Sequence, residues 1–290
     1  MIKTLISLPI LILALLGLTY MRDAKVSNSF SAVTVCHSVP EIDGMKQFAL
    51  DPAFQALHPA PVAFHFEGAG QMVTFKVADG VNANAYLIKA KSKSDRWLFV
   101  YQEWWGLNDF IKKQSDTYFH DLGENVNVLA IDLYDGKVTA DPKEAGTFVS
   151  QVKETRLEAI VNGAISYAGA KAKIANVGWC FGGGWSLRSG LQGGKQTVGT
   201  VMYYGMPVKD VEKLKMLNGD VLGLFATETR ISKEVIEEFA TNMKTAGKSL
   251  EYKIFNGVHG FANPSNPKYD EALGKEAYGM SLAYLKKKFN

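Results

Sequence analysis

The chain predicts an α/β fold, with a mostly parallel central sheet covered by helices on both faces. N-terminal hairpin strands and an irregular N-terminal extension precede it. Three observations lead there. Short apolar runs alternate with helix-length segments from about residue 97 onward, as in strands joined by crossover helices. Residues 97–101 are continuously apolar, as strands buried on both faces tend to be. Finally, Val177-Gly178-Trp179-Cys180-Phe181-Gly182-Gly183-Gly184-Trp185 reads as the end of a strand, a sharp turn and the start of a helix.

Residues 1–25 read as an export signal or N-terminal anchor. Lys3 gives a short positive start, and residues 5–18 are almost unbroken apolar sequence, short for a membrane span and suited to a signal segment. Removal and retention of residues 4–21 as an anchor both remain open, and either places the protein outside the cytoplasm, in the periplasm or secreted. Residues 26–70 form the irregular extension, where Pro40, Pro52, Pro59 and Pro61 act as breakers and His37, His58 and His65 read as surface or turn histidines. Residues 71–290 form the main domain. Residues 72–77 and 85–88 flank Asp79-Gly80 as a hairpin. After the strand at 97–101 come a helix at 109–122, a strand at 126–131, a helix at 153–168 and a strand at 174–177. The turn helix follows, then strands at 198–203 and 221–225, a helix at 233–246, a strand at 251–255 and a helix at 269–289.

Composition narrows the chemistry. With 290 residues, 47% of them hydrophobic, the chain has ample length for one large core. Lys and Arg number 32 against 29 Asp and Glu, and the one basic run, Lys286-Lys287-Lys288, suits the last turn of a helix, so nucleic acid is not an expected partner. The two cysteines, Cys36 and Cys180, are expected to be free, or Cys36 to pair elsewhere. No C-x-x-C or H-E-x-x-H spacing is present, so neither a metal nor a cofactor is expected.

The turn carries the chemistry. G-x-C-x-G between strand and helix matches a nucleophile elbow with cysteine in the usual place of serine. Glycines two before and two after the nucleophile leave room for a strained backbone, and the helix N-terminus favours a thiolate. Phosphate-binding loops need other spacings, G-x-x-x-x-G-K-[ST] or G-x-G-x-x-G, which are absent here. Three further polar segments follow strands and so share one rim of a parallel sheet: Gln102-Glu103-Trp104-Trp105-Gly106, Asp132-Leu133-Tyr134-Asp135-Gly136-Lys137 and Gly257-Val258-His259-Gly260-Phe261. His259 lies after the nucleophile, where the chain order nucleophile, acid, histidine requires the general base.

With these segments in order, the chain from about residue 70 to 290 resembles the dienelactone hydrolase family of α/β-hydrolases. The resemblance runs through Gln102-Glu103-Trp104-Trp105-Gly106-Leu107-Asn108, Asp132-Leu133-Tyr134, Gly178-Trp179-Cys180-Phe181-Gly182-Gly183 and His259-Gly260-Phe261. It implies Cys180 as nucleophile, His259 as base, Glu103 beside the thiol, and an oxyanion hole from the N–H groups of Phe181 and Trp104. The last pair also follows from the elbow template. Trp105, Tyr134 and Lys137 are the expected pocket residues.

The sequence departs from the family pattern at the acid. Thr229 stands at the aspartate's place, and Arg230-Ile231 follow where acid, one residue, aromatic, Ile is usual. Glu228 is adjacent but faces away if the segment is extended. Either the shortening turns Glu228 toward His259, or the histidine has no carboxylate. Asn263 also replaces an arginine that the family's dienelactone-binding members carry. The expected activity is hydrolysis of small esters or lactones with a weakened or re-wired triad. A non-turnover binding protein on the same fold is the alternative. A class I amidotransferase-like cysteine enzyme fits less well, because Gly260-Phe261 follows the histidine where an acid would stand.

Overall fold

The computed structural model describes residues 43–290. The proposed export segment, Cys36 and His37 lie outside the described residues. The elements run α1 (Asp43–Ala49), α2 (Pro52–Ala56), β1 (Gln71–Phe75), β2 (Ala83–Ile88), β3 (Arg96–Tyr101), α3 (Asp109–Asp121), β4 (Asn127–Ile131), α4 (Pro142–Gln151) and α5 (Glu154–Ala168). They continue with β5 (Lys173–Trp179), α6 (Phe181–Gln192), β6 (Thr197–Tyr203), α7 (Val211–Leu214), β7 (Asp220–Ala226), α8 (Lys233–Thr245), β8 (Leu250–Phe255) and α9 (Glu271–Phe289).

The eight strands form one sheet in the order β1-β2-β4-β3-β5-β6-β7-β8. The hairpin is antiparallel, with Gln71 opposite Leu87, and β2 also joins β4 antiparallel. Every pairing from β4 onward is parallel. Parallel strands are covered on both faces, and Leu98 to Tyr101 and Val128 to Ile131 are fully buried accordingly. On one face α3 and α9 meet through Tyr118, whose hydroxyl bonds Ser281 Oγ at 2.7 Å. On the other, Leu187 of α6, Leu214 of α7 and Ile236, Phe239 and Met243 of α8 form a second apolar cluster. The carboxyl ends of β3, β4, β5, β7 and β8 share one rim, which is where ligands bind in such sheets.

The extension differs from its expectation. It is not irregular throughout, because α1 and α2 lie in it. Pro52, read as a breaker, is the first residue of α2, and the Asp51 side chain caps it by accepting from Ala53 N–H at 2.9 Å. Proline suits that position because its missing N–H has no helical partner there anyway. The same device starts α4, absent from the sequence reading, where Asp141 caps and Pro142 follows. The extension is tied down by Val62 N–H to the Ser265 carbonyl at 2.9 Å, by Lys46 Nζ to the Val152 carbonyl at 2.5 Å and by the Asp51–Arg230 ion pair at 2.8 Å.

Candidate active site

The elbow owes its shape to close backbone approach. A Cβ on Gly178 would stand 2.1 Å from the Gly182 carbonyl oxygen, and one on Gly182 would stand 2.2 Å from that of Gln102. Side chains at either position would force the strand and helix apart. Between them Cys180 takes φ 56° and ψ −118°, a left-handed conformation that strains any residue with a Cβ. Its backbone is held on both sides. Its N–H donates to the Tyr203 carbonyl at 3.0 Å, and its own carbonyl accepts from Gly183 N–H at 3.0 Å.

The two residues weighed for the acid position are placed differently. After β7, Thr227 N–H donates to the Gly257 carbonyl at 2.9 Å, and its hydroxyl donates to the Phe255 carbonyl at 2.9 Å. These bonds clamp the β7 and β8 loops together. Glu228 Oε1 then lies 2.7 Å from His259 Nδ1, while Thr229 is exposed and does not reach the site. A carboxylate only accepts, so Nδ1 carries a proton toward Glu228 and Nε2 is the ring nitrogen left free of it. Cys180 Sγ is within 4.8 Å of a ring nitrogen of His259. Thiol and imidazole are close enough for the bond between them to shift the proton affinity of both.

The electrostatics correct one expectation. Burial pushes the Cys180 thiol up, Glu103 adds to that, and the attraction of His259 only partly opposes it. Cys180 is 4% exposed, and the helix N-terminus does not offset the desolvation. Burial thus works against the thiolate that its place in the turn suggested. Burial also pulls His259 down, but the Glu228 carboxylate and the Cys180 sulfur outweigh it and raise the ring well above an ordinary histidine. A reluctant acid thus faces a strong base.

Glu103 is buried beneath this pair. Asn263 Nδ2 donates to its Oε2, and the Tyr204 hydroxyl donates to its Oε1 at 3.4 Å. Burial raises its carboxyl to about 7, against the pull of His259. The Phe181 N–H points at the Cys180 sulfur, and Trp104, next to Glu103, is fully buried at the same rim. The pocket residues divide. Tyr134 stacks near Phe181 at 5.5 Å and so borders the nucleophile. Lys137 instead lies over Phe148 at 5.7 Å, in a neighbouring cleft of about 550 Å³ shared with Tyr134, Asp135 and Arg156. Trp105 is buried against Trp104 at 5.0 Å and acts as packing. Neither Lys137 nor Trp105 lines the two cavities at Cys180, of about 20 and 30 Å³. Met45, Phe48, Phe54, Tyr204, Met206 and Arg230 line the smaller of these.

The extension supplies a residue that the sequence reading placed on the surface. His58 is 6% exposed, with its ring 4.5 Å from Trp104 and 4.9 Å from His259. Burial, and then repulsion from His259, holds it down to about 3. Phe54 apart, the rings that bury His58 come from distant loops, those of Trp104 and His259, so no local pattern signals its burial. His65 is exposed beside Asp109, as expected of a surface residue. No helix among the described residues is long and apolar enough to cross a membrane.

The sequence profile of the dienelactone hydrolase family matches residues 83–289. Among curated proteins, the protein called usf from Aquifex pyrophilus is 24% identical over 230 residues, which is 75% of this chain and 98% of that one. A protein of Aquifex aeolicus provisionally named a carboxymethylenebutenolidase is 22% identical, with the same shares covered. A dienelactone hydrolase-like promiscuous phosphotriesterase from metagenomic libraries has a similar fold, with a TM-score of 0.65 and 18% identity over 77% of this chain and all of that one. The dienelactone hydrolase of Anabaena variabilis gives 0.57 and 16% over the same shares. Since the profile spans most of the chain and the strand order carries the elbow to the sheet's rim, the chain belongs to the dienelactone hydrolase family, carboxylic ester hydrolases of α/β-hydrolase fold.

Proposed function

We propose that this hydrolase acts on small carboxylic esters or lactones through Cys180, with His259 as base and Glu228 as the acid that orients it. The observation that carries this reading is the contact of 2.7 Å between Glu228 Oε1 and His259 Nδ1, beside a cysteine on a strained elbow. As Sγ attacks the carbonyl carbon, its proton passes to His259 Nε2, and the Glu228 carboxylate stabilises the imidazolium. The carbonyl oxygen becomes an oxyanion held by the N–H groups of Phe181 and Trp104. Collapse breaks the C–O bond, and His259 returns the proton to the leaving alkoxide. A water then gives a proton to His259 and its oxygen to the thioester, releasing the acid and restoring the thiol.

The small cavities at Cys180 and their apolar walls favour short acyl groups. The non-turnover alternative drew on a missing carboxylate, and the contact of Glu228 with His259 supports turnover over it. Hydrolysis of p-nitrophenyl acetate tests the assignment. Cys180→Ala lowers kcat on the order of 10⁴-fold, by analogy with loss of a triad member. Equal rates in the two proteins sink it. Export is proposed as well, on the strength of Lys3 and the apolar run at 5–18. Deleting residues 1–25 is expected to retain the protein in the cytoplasm on cell fractionation, and unchanged distribution rejects the export reading.

A further inference from the structure

We infer that His58, Cys180 and His259 form a site for a borderline-soft divalent metal ion of the Zn²⁺ class, and that the bound ion silences the hydrolase reversibly. One ring nitrogen of each histidine and the Cys180 sulfur all lie within 4.8 Å of one another. The tautomers are fixed by partners that only accept. His58 Nδ1 is 2.8 Å from the Phe54 carbonyl oxygen, so that nitrogen carries the proton. His259 Nδ1 carries its proton toward Glu228 in the same way. Both Nε2 atoms are therefore left as the ligand atoms, and both are buried. The buried Nε2 of His58 has no hydrogen-bond partner among the described residues, which is costly for an acceptor cut off from water.

A cation resolves this, since it takes both nitrogens and the sulfur together. Metal-binding histidines characteristically donate their other N–H to a backbone carbonyl or a carboxylate, and here the Phe54 carbonyl and Glu228 are those partners. Two imidazoles and a thiolate select Zn²⁺ and its neighbours over Mg²⁺ or Ca²⁺, which prefer oxygen. On binding, the S–H bond breaks, the metal–sulfur bond forms and the proton leaves to solvent. With the sulfur's charge drawn to the cation and the His259 nitrogen bound beside it, the site loses both its nucleophile and its base. His58 lies ahead of the family match, which begins at residue 83. The extension thus adds one ligand to two from the shared domain, and the three donors are too far apart in sequence for any ligand spacing to reveal the site.

Co²⁺ titration of the chelator-stripped full chain tests the inference without substrate. The expected result is a thiolate-to-cobalt charge-transfer band with intense four-coordinate ligand-field absorption, saturating at a single equivalent and bleached by Zn²⁺. His58→Phe keeps a ring between Phe54 and Trp104, and melting confirms that it is folded. It should weaken Co²⁺ binding by more than the roughly 10–100-fold that loss of an outer partner costs, and Glu228→Gln by about that 10–100-fold. Absence of the band at millimolar Co²⁺ overturns the site, as does full wild-type affinity in His58→Phe. The two readings separate cleanly. An inactive protein that shows the band sinks only the ester hydrolase, and an active one without it sinks only the metal site.

Discussion

The two walls of the site are held by different means. The wall that carries Cys180, His259 and Glu228 is fixed by backbone, through the register of β5 with β3 and β6, the Gly178–Gly182 approach and the Thr227 clamp between two loops. The facing wall, from the extension, is held mostly by side chains. Arg230 pairs with Asp51 and lies 4.2 Å over Phe48 and 5.1 Å from Phe54. Arg230 stands in the segment where the family's acid motif is shortened. One short segment therefore sends Glu228 inward to His259 and Arg230 outward to the extension. Backbone-held walls should fail all at once when disturbed, and side-chain-held walls should loosen by degrees.

The largest effect is expected where backbone meets backbone. Gly182→Ala sets a methyl 2.2 Å from the Gln102 carbonyl oxygen, which cannot swing aside as a side chain would. Overpacking of this kind costs about 3 kcal/mol or more, so the variant should express as insoluble or sharply destabilised protein. A stable, active Gly182→Ala would mean that the elbow yields far more readily than the comparison allows.

Next comes the pair inside the fixed wall. Glu228→Gln should lower kcat roughly 100-fold. That is less than the 10⁴-fold of a serine triad, because a thiol needs less help to ionise. Thr229→Ala, at an exposed position, should leave kcat within about twofold of wild type, like most surface changes. The reverse ranking of the two variants would put the acid at Thr229's place in the loop and break the geometric assignment.

How much of this was legible in the sequence follows the same division. The elbow could be read because its glycines are neighbours in the chain and serve a local turn. The strands at 97–101 and 126–131 could be read because burial on both faces leaves an apolar run. The acid was ambiguous, since the direction of Glu228 depends on Thr227 reaching the carbonyls of Phe255 and Gly257, which no local pattern encodes. Pro52 misled because it reads as a helix breaker, when after a capping aspartate proline starts a helix, as Asp141-Pro142 also does for α4. His58 was lost with α2, because a histidine in an irregular segment gives no sign of being buried. The thiolate expectation overlooked burial, because the dipole is local to the turn, whereas the desolvation that opposes it comes from the whole fold.

The side-chain-held wall carries a pH signature. His58 is held near 3 when folded and returns to about 6.5 when unfolded, so between those values the unfolded chain binds the extra proton. Its contribution is present above pH 6.5 and is lost as pH falls toward 3, at about 1 kcal/mol per pH unit. Glu103, raised to about 7 from 4.5, acts oppositely, because the folded state holds the proton and stability declines as pH rises through that range. The two partly cancel between pH 4.5 and 6.5. In His58→Phe only the Glu103 limb remains, so denaturant midpoints should rise on acidification from pH 7 to 5, where wild type stays nearly flat. Parallel profiles for the two proteins would show that His58 is not desolvated as its burial implies.

The smallest effect tests the outermost tie. Asp51 caps α2 and pairs with Arg230, yet it is well exposed, and exposed pairs contribute little. Asp51→Asn keeps a capping oxygen, since asparagine is as good an N-cap as aspartate, and removes only the charge. Amide exchange in α1 and α2 should then quicken by about fivefold at most, with the amides of β5 and β6 unchanged because they belong to the backbone-held wall. Cys180 should become more reactive toward a bulky maleimide in step with that opening, since Met45, Phe48 and Phe54 are what stand over it. If exchange in β5 quickened as much as in α2, the two walls would be one cooperative unit, and the distinction between them would have no energetic content.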